Sequence, residues 1–233
     1  MYDPGPTMHR LLKRTARLGL ALIAAFVCLS ALLVLALRWI DPPSSAVIVA
    51  WELGNGREAR QEWQPLERIS PHLQMAVIAA EDQKFAHHFG FDFAALKQAL
   101  REDRKRPRGA STITQQTAKN LFLWHGRSYL RKGLEAWFTV LMELLWPKER
   151  ILEVYLNIAE FGEGVYGAQA AAQRFFGTSA RYLSSWQAGR MAAVLPNPRR
   201  MSAQHPSHYV RNRAATINRQ VRQLGGSAYL GAL

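Results

Sequence analysis

From Leu18 to Leu37 the chain reads LGLALIAAFVCLSALLVLAL, twenty residues without a charge. Wound as an α-helix, such a run rises about 30 Å, the thickness of a bilayer's hydrocarbon core, so a membrane span is expected here. Arg10, Lys13, Arg14 and Arg17 ahead of it would also suit the n-region of a cleaved secretory signal. The apolar part of a signal is shorter, about 7–15 residues, and no small-x-small cleavage site precedes Asp41-Pro42-Pro43. Arg38 and Trp39 read instead as a membrane-exit flank, which favours an uncleaved anchor. By the positive-inside rule residues 1–17 form a cytoplasmic tail, residues 18–38 the anchor, and everything after Trp39 lies across the membrane.

The charge supports an anionic partner for that outer part. Residues 1–38 carry five Lys/Arg against one Asp, +4 of the formal +13, so +9 belongs to the remainder. Phospholipid headgroups, a diphosphate or a nucleic acid could answer such a surplus, and a domain tethered outside the cytoplasm makes nucleic acid the least suitable. The only cysteine, Cys28, lies within the span. The outer part therefore has neither a disulfide nor a cysteine metal site available to it.

Beyond Pro42-Pro43 a linker is expected over residues 39–65, with Ala46-Val-Ile-Val-Ala-Trp51 as a short strand and Gly54-Asn-Gly56 as a turn. From Ser70 onward the pattern is helical. Ser70-Pro71 supplies an N-cap with proline at the first helical position, Ser128 and Pro147 open further helices, and Ser184-Ser-Trp-Gln187 has capping-box spacing. A last helix fits residues 206–224, closed by Gly225-Gly226. The expected architecture is mainly α: one globular domain over residues 66–225, a small β element before it, and a tail over residues 226–233.

Four stretches carry polar groups where chemistry could use them. In Glu81-Asp-Gln-Lys-Phe-Ala-His-His-Phe-Gly90 two acids follow the apolar run Met75–Ala80. If the helix begun at Ser70 runs through Phe85, Glu81 shares a face with Val77, Ile78 and Phe85, and a carboxyl so desolvated becomes a base near neutral pH. A helix-terminal acid paired with Lys84 or a histidine is the plainer reading. In Gly109-Ala-Ser-Thr-Ile-Thr-Gln-Gln116, Thr112 and Gln115 have capping-box spacing, and the free N–H groups of a helix start attract anions. Ser111, Gln115 and Lys119, four residues apart, would line hydroxyl, amide and ammonium along one side of it, though an ordinary capped helix gives the same pattern. In Arg127–Glu135, Arg131 and Glu135 are at i,i+4 spacing and could be only a surface pair. Lys148–Asn157 reads as scaffold, with Ile151, Tyr155 and Ile158 inward.

Together, EDQKF..H.G, GASTITQQ, RKGLE and KERILEVYLN, followed by GEGVYGAQAAAQRFFG, closely resemble the five motifs of the family 51 glycosyltransferases, the peptidoglycan glycosyltransferases of bacterial walls. The resemblance spans about Leu66 to Asn197. The chain ends soon after, without room for a penicillin-binding transpeptidase domain, so it resembles the monofunctional branch of that family. The resemblance implies a lysozyme-like all-α domain that polymerises lipid II. The growing chain's reducing-end sugar moves from undecaprenyl diphosphate to the 4-hydroxyl of an incoming GlcNAc, with inversion in a single displacement. Glu81 matches the family's catalytic glutamate, the general base, and Glu135 its second glutamate, which organises the donor site. Asp82, Phe85, His88 and Gly90 match the rest of the first motif and shape the site, and Asp82, Phe85 and His88 are thereby implied to bind substrate. Ser111, Thr112, Gln115, Gln116, Lys119, Arg127 and Arg131 match the substrate-binding positions, with the cations as a diphosphate clamp. At Leu134 many relatives carry lysine, which leaves this clamp one charge weaker. The resemblance further implies a divalent cation, Mg2+ or Mn2+, at the donor diphosphate, no organic cofactor, and no metal held by the protein alone. Implied partners are lipid II, the growing glycan, membrane lipids and proteins of the division or elongation machinery. The implied location is a bacterial inner membrane, with the catalytic domain periplasmic.

Two other readings stay open on the sequence. A membrane-bound lytic transglycosylase or lysozyme-like hydrolase also uses a carboxyl in an all-α domain, but needs no cationic diphosphate site. A non-enzymatic scaffold could bind anionic lipid through the basic surface.

Overall fold

The computed structural model describes residues 6–101, 111–124, 126 and 128–233, with side chains from residue 13 onward except those of residues 98–101. It divides into two compact units, residues 1–40 and 41–233. The first holds helix α1 (Pro6–Ala36), whose stretch Lys13–Ala36 is long and apolar enough to cross a membrane.

The second unit is mainly α. Helices α2 (Ala46–Asn55), α3 (Pro71–Glu81), α4 (Phe93–Arg101), α5 (Ile113–Phe122), α6 (Tyr129–Leu145) and α7 (Lys148–Ile158) lead to a two-stranded antiparallel hairpin, β1 (Glu160–Gly162) and β2 (Val165–Tyr166). Helices α8 (Ala168–Phe176), α9 (Ser185–Val194) and α10 (His208–Gln223) follow. Every residue of α3 from Leu73 to Ala79 is buried, as expected of a helix apolar on all sides. It packs against α9 and α10, while α5 packs against α6 and α7. Glu81, at the C-terminus of α3, and the site residues expected along α5 thus sit on helices fixed from several sides.

The capping signals are realised. Ser70 accepts from His72 N with Pro71 at the first position, Ser128 accepts from Arg131 N, and complete capping boxes join Thr112 to Gln115 and Ser184 to Gln187. Gly225 closes the last helix region in the left-handed conformation.

Three local expectations need correction. Residues 46–51 are helix, not strand: Ser45 caps the run through Ile48 N, Gly56 ends it at φ 61°, and Val47, Ile48 and Trp51 form one buried face against Tyr166. A short β-branched run fits either element, and the serine cap decides it. The hairpin lies instead at FGEGVYG, where Gly164 has φ 67° and a Cβ would stand 2.4 Å from the Trp51 ring, so only glycine admits that packing. Helix α3 ends at Glu81 rather than running through Phe85; the chain turns at Asp82 into a 3-10 segment, Phe85–His87. The residues expected as a C-terminal tail form a 3-10 segment, Gly226–Ala232, with Tyr229 buried against the first motif.

Candidate active site

Glu81, the last residue of α3, keeps its side chain mostly buried, 15% exposed. Its Oε2 accepts a hydrogen bond from Gln116 Nε2 of α5 at 2.9 Å, and a guanidinium nitrogen of Arg213, from α10, lies 4.0 Å from Oε1. Burial raises the Glu81 pKa above the ordinary glutamate value, and the Gln116 bond, Arg213 and Lys119 pull back less strongly. A cavity of about 670 Å³ opens beside it, lined by Glu81, Gln83, Tyr209, Arg213 and Gln220 among others. This is the desolvated carboxyl that the sequence suggested, held at a helix end rather than in mid-helix.

The next residue faces the other way. Asp82 is buried; its carboxylate pairs with His88 Nε2 at 2.8 and 3.0 Å and accepts from the backbone N–H of Ile113 at 3.0 Å. Asp82 therefore fastens the first motif to the N-terminus of α5, where a negative charge is favoured. Thr112 adds a second fastening, its hydroxyl donating to Gly90 O at 2.6 Å. Gly90 has φ 74°, and a Cβ there would meet Thr139 Cγ2 at 2.7 Å, so the chain can approach α6 this closely only as glycine. Phe85 is fully buried, and Lys148 Nζ sits 4.7 Å from its ring centre. Lys148 also donates to His88 O and Glu143, and Thr114 donates to the same Glu143 oxygen, tying α5, α6 and α7 to the first motif.

The expected row of Ser111, Gln115 and Lys119 does not form. Ser111 is exposed ahead of α5, and buried Gln115 spends its side-chain oxygen on Thr112 N in the capping box. Lys119 alone of the three enters the site, half-buried, its pKa lowered by burial against the opposing pull of Glu135. Glu81, Arg131 and Lys132 also act on it. With Gln116, Asn120, Tyr155 and Glu160 it lines a smaller cavity of about 180 Å³. Glu135 is buried at 3% exposure, paired with Arg131 at 3.4 Å and with Lys132. The Arg131 Nε is buried without a hydrogen-bond partner. Arg127, expected in the clamp, lies outside the described residues. Among the described residues no group of three His, Cys, Asp or Glu side chains could hold a metal ion.

Sequence reasoning missed several residues that shape this site. Arg213 had no signal beyond its place on a basic helix. Tyr155 looked like scaffold, yet its hydroxyl donates to Gln116 Oε1 at 3.3 Å. Tyr229, in the expected tail, donates to Gln83 O and accepts from Ala86 N, both at 3.1 Å, which pins the turn after Glu81 from behind. Lys132 carried one available signal, its i,i+3 spacing to Glu135.

With the geometry in place, comparison with known proteins is specific. The transglycosylase family profile matches residues 47–222. A protein of Stutzerimonas stutzeri (strain A1501) called biosynthetic peptidoglycan transglycosylase is 58% identical over 230 residues, covering 96% of this chain and 93% of its own. Proteins of the same name from Pseudomonas syringae pv. syringae (strain B728a) and Xanthomonas campestris pv. campestris (strain B100) are 57% and 53% identical, covering 89% and 94% of this chain and 91% and 93% of theirs.

Proposed function

The chain belongs to the transglycosylase family, a peptidoglycan glycosyltransferase with lipid II and the growing glycan as substrates, and on that premise we propose that Glu81 is its general base. The observation that carries this assignment is the Glu81 carboxyl itself: desolvated, fixed by Gln116, and open to a cavity large enough for sugar. The 4-hydroxyl of the acceptor GlcNAc gives its proton to Glu81 as its oxygen attacks C1 of the donor sugar. The bond from C1 to the undecaprenyl diphosphate breaks on the opposite face, so the α-linked donor becomes a β-1,4 linkage. The bonding pair leaves with the diphosphate, and the proton on Glu81 passes to solvent or leaving group before the next turnover.

The leaving group needs its charge stabilised rather than a proton. Lys119 and Arg131 are the cations placed to do so, with Glu135 holding Arg131 and Lys132 in position. This supports synthesis over glycan cleavage, which has no diphosphate to bind. Glu135 is buried with both carboxylate oxygens taken by Arg131 and Lys132, so a divalent ion, Mg2+ or Mn2+, would be held by diphosphate oxygens and water rather than by Glu135, and would further neutralise the departing charge. Purified protein should polymerise lipid II and leave finished wall polymer intact; the reverse pattern would assign it to cleavage. Lys119→Ala should weaken binding of a diphosphate-bearing lipid by about 1.5–3 kcal/mol, the loss of a charged hydrogen bond. Unchanged affinity would remove Lys119 from the clamp.

Helix α1 is compatible with a single-pass anchor. We place it in the inner membrane, with its N-terminus cytoplasmic and the catalytic unit periplasmic, from the basic residues ahead of the span. The substrate's isoprenoid tail must stay in the bilayer, and the run Leu121–Trp124 bears on where. Leu121 and Leu123 are buried and Phe122 stacks on Phe138 at 4.3 Å, so these three serve the core. Trp124 points outward at 51% exposure, and Tyr129 and Leu130 are exposed further along. Protein lacking residues 1–38 should still bind liposomes through these side chains, with Trp124 at headgroup depth. Binding that survives Trp124→Ser with Leu130→Ser would move the contact elsewhere.

A further inference from the structure

Gln116 is the only side chain that donates a hydrogen bond to Glu81 among the described residues, and an amide can turn either of its ends toward a neighbour. What fixes the choice lies behind it. Tyr155 of α7 is 1% exposed, and its hydroxyl has one hydrogen-bond partner among the described residues, Gln116 Oε1 at 3.3 Å. We propose that Tyr155 is a positioning residue for the base: its hydroxyl holds the Gln116 amide with the NH2 group, not the carbonyl oxygen, toward Glu81.

A flipped amide would place its oxygen 2.9 Å from a carboxylate oxygen, two acceptors facing each other, and would leave the Tyr155 proton without an acceptor in a buried site. Both penalties point the same way. Burial also drives the Tyr155 pKa well above its ordinary value, with the nearby Glu81 and Asp82 charges adding to the effect, so the hydroxyl remains a donor throughout the working pH range. The consequence falls on turnover. Once Glu81 has taken the acceptor's proton, a free amide could rotate and accept from the new carboxylic acid, which would hold the base in its spent form. With its oxygen committed to Tyr155, Gln116 offers Glu81 only donors, which favour the carboxylate over the acid, and the carboxylate is the form that must be restored before the next sugar arrives. The sequence LEVYLN thus contributes a buried hydroxyl to the site as well as a core-facing ring.

This inference rests on Glu81 being the base, and the experiment separates the two. For full-length protein, kcat/KM for lipid II polymerisation is measured against pH in the unaltered chain, Tyr155→Phe, Gln116→Ala, the double variant and Glu81→Gln. The other groups facing Glu81 are Arg213 from α10, Lys119 from α5 and Asp82 beside it in the chain, and all remain in the first three variants. Tyr155→Phe keeps the ring and should lower kcat/KM about tenfold. A hydrogen bond to the charged form lowers a carboxyl's pKa, so losing it should move the acid limb of the profile to higher pH. Gln116→Ala should move the limb at least as far, and the double variant no further than Gln116→Ala, because Tyr155 acts through the amide. An unmoved limb in Tyr155→Phe, or an undiminished Tyr155 effect when Gln116 is already alanine, overturns the proposal. Should Tyr155→Phe not fold, the limb of Gln116→Ala decides: a shift supports the amide's part and an unmoved limb overturns it. If Glu81→Gln retains normal rates, the base assignment fails and this inference with it. If Glu81→Gln is inactive while Tyr155→Phe behaves normally, only the Tyr155 role is lost.

Discussion

Glu81→Gln is expected to lower lipid II polymerisation by at least about 10²-fold while leaving the folded protein as stable as before or more so. Glutamine keeps the size of the side chain and can still accept from Gln116, but it cannot take a proton. The stability side follows from burial, which raises the Glu81 pKa in the folded chain. The folded state then holds the proton more tightly than the unfolded state. The stability this gives is fully present below the unfolded pKa and is lost as pH rises through the raised folded value. At neutral pH the charged carboxylate is therefore a burden on the fold that a neutral amide removes, a common compromise between activity and stability. In the unaltered chain activity should fall as pH drops through the same raised pKa, since only the ionised form is a base. Polymerisation assays across pH, with thermal melts of both proteins, check each part. Near-normal rates in Glu81→Gln would falsify the assignment, and lost activity with a collapsed melt would show a structural role instead.

Asp82→Ala should behave in the opposite way, losing stability and activity together. It strips the partner from His88 Nε2 and from the Ile113 N–H, both interior, and removes the charge at the start of α5. Leaving such groups unpaired costs about 2–5 kcal/mol, which for a domain of this size lowers Tm by about 5–20 °C. Gln116 lies in the first turn of α5, so any shift of that helix start relative to Glu81 loosens the base's hydrogen bond. Asp82→Asn, which can still accept from Ile113 N–H, should recover part of the stability. The two measurements must be read as a pair. A large loss of rate at an unchanged Tm would mean that Asp82 meets substrate directly, as its place in the first motif suggested.

The contrast between these neighbouring acids marks how far the sequence could be read. The apolar run before Glu81 and the capping boxes at Thr112 and Ser184 are local patterns, and local hydrogen bonding realises them in place. The six apolar residues Ala46–Trp51 satisfy both a strand and a buried helix face, and the deciding features are Ser45 and a glycine eleven residues on, Gly56. The hairpin at residues 160–166 carried too few β-branched residues to stand out. Its form depends on Gly164, placed against Trp51 more than a hundred positions earlier.

The sequence by itself determined the apolar span, the helical class of the outer unit, the helix starts and the ordered motifs that identify the chemistry. These depend on composition, on periodicity and on contacts between residues a few positions apart. Only the tertiary structure decided which polar side chains line a cavity and which are held in interior hydrogen bonds. Glu81 and Asp82 adjoin in sequence and point apart because the helix ends between them, while Gln115 and Gln116 part within the first turn of one helix, one into its own cap and the other onto Glu81. Arg213, Tyr155 and Tyr229 come to the site from 132, 74 and 148 residues beyond Glu81. No local pattern announces them, because burial and partnership are set by the packing of α3 against α9 and α10 and of α5 against α7.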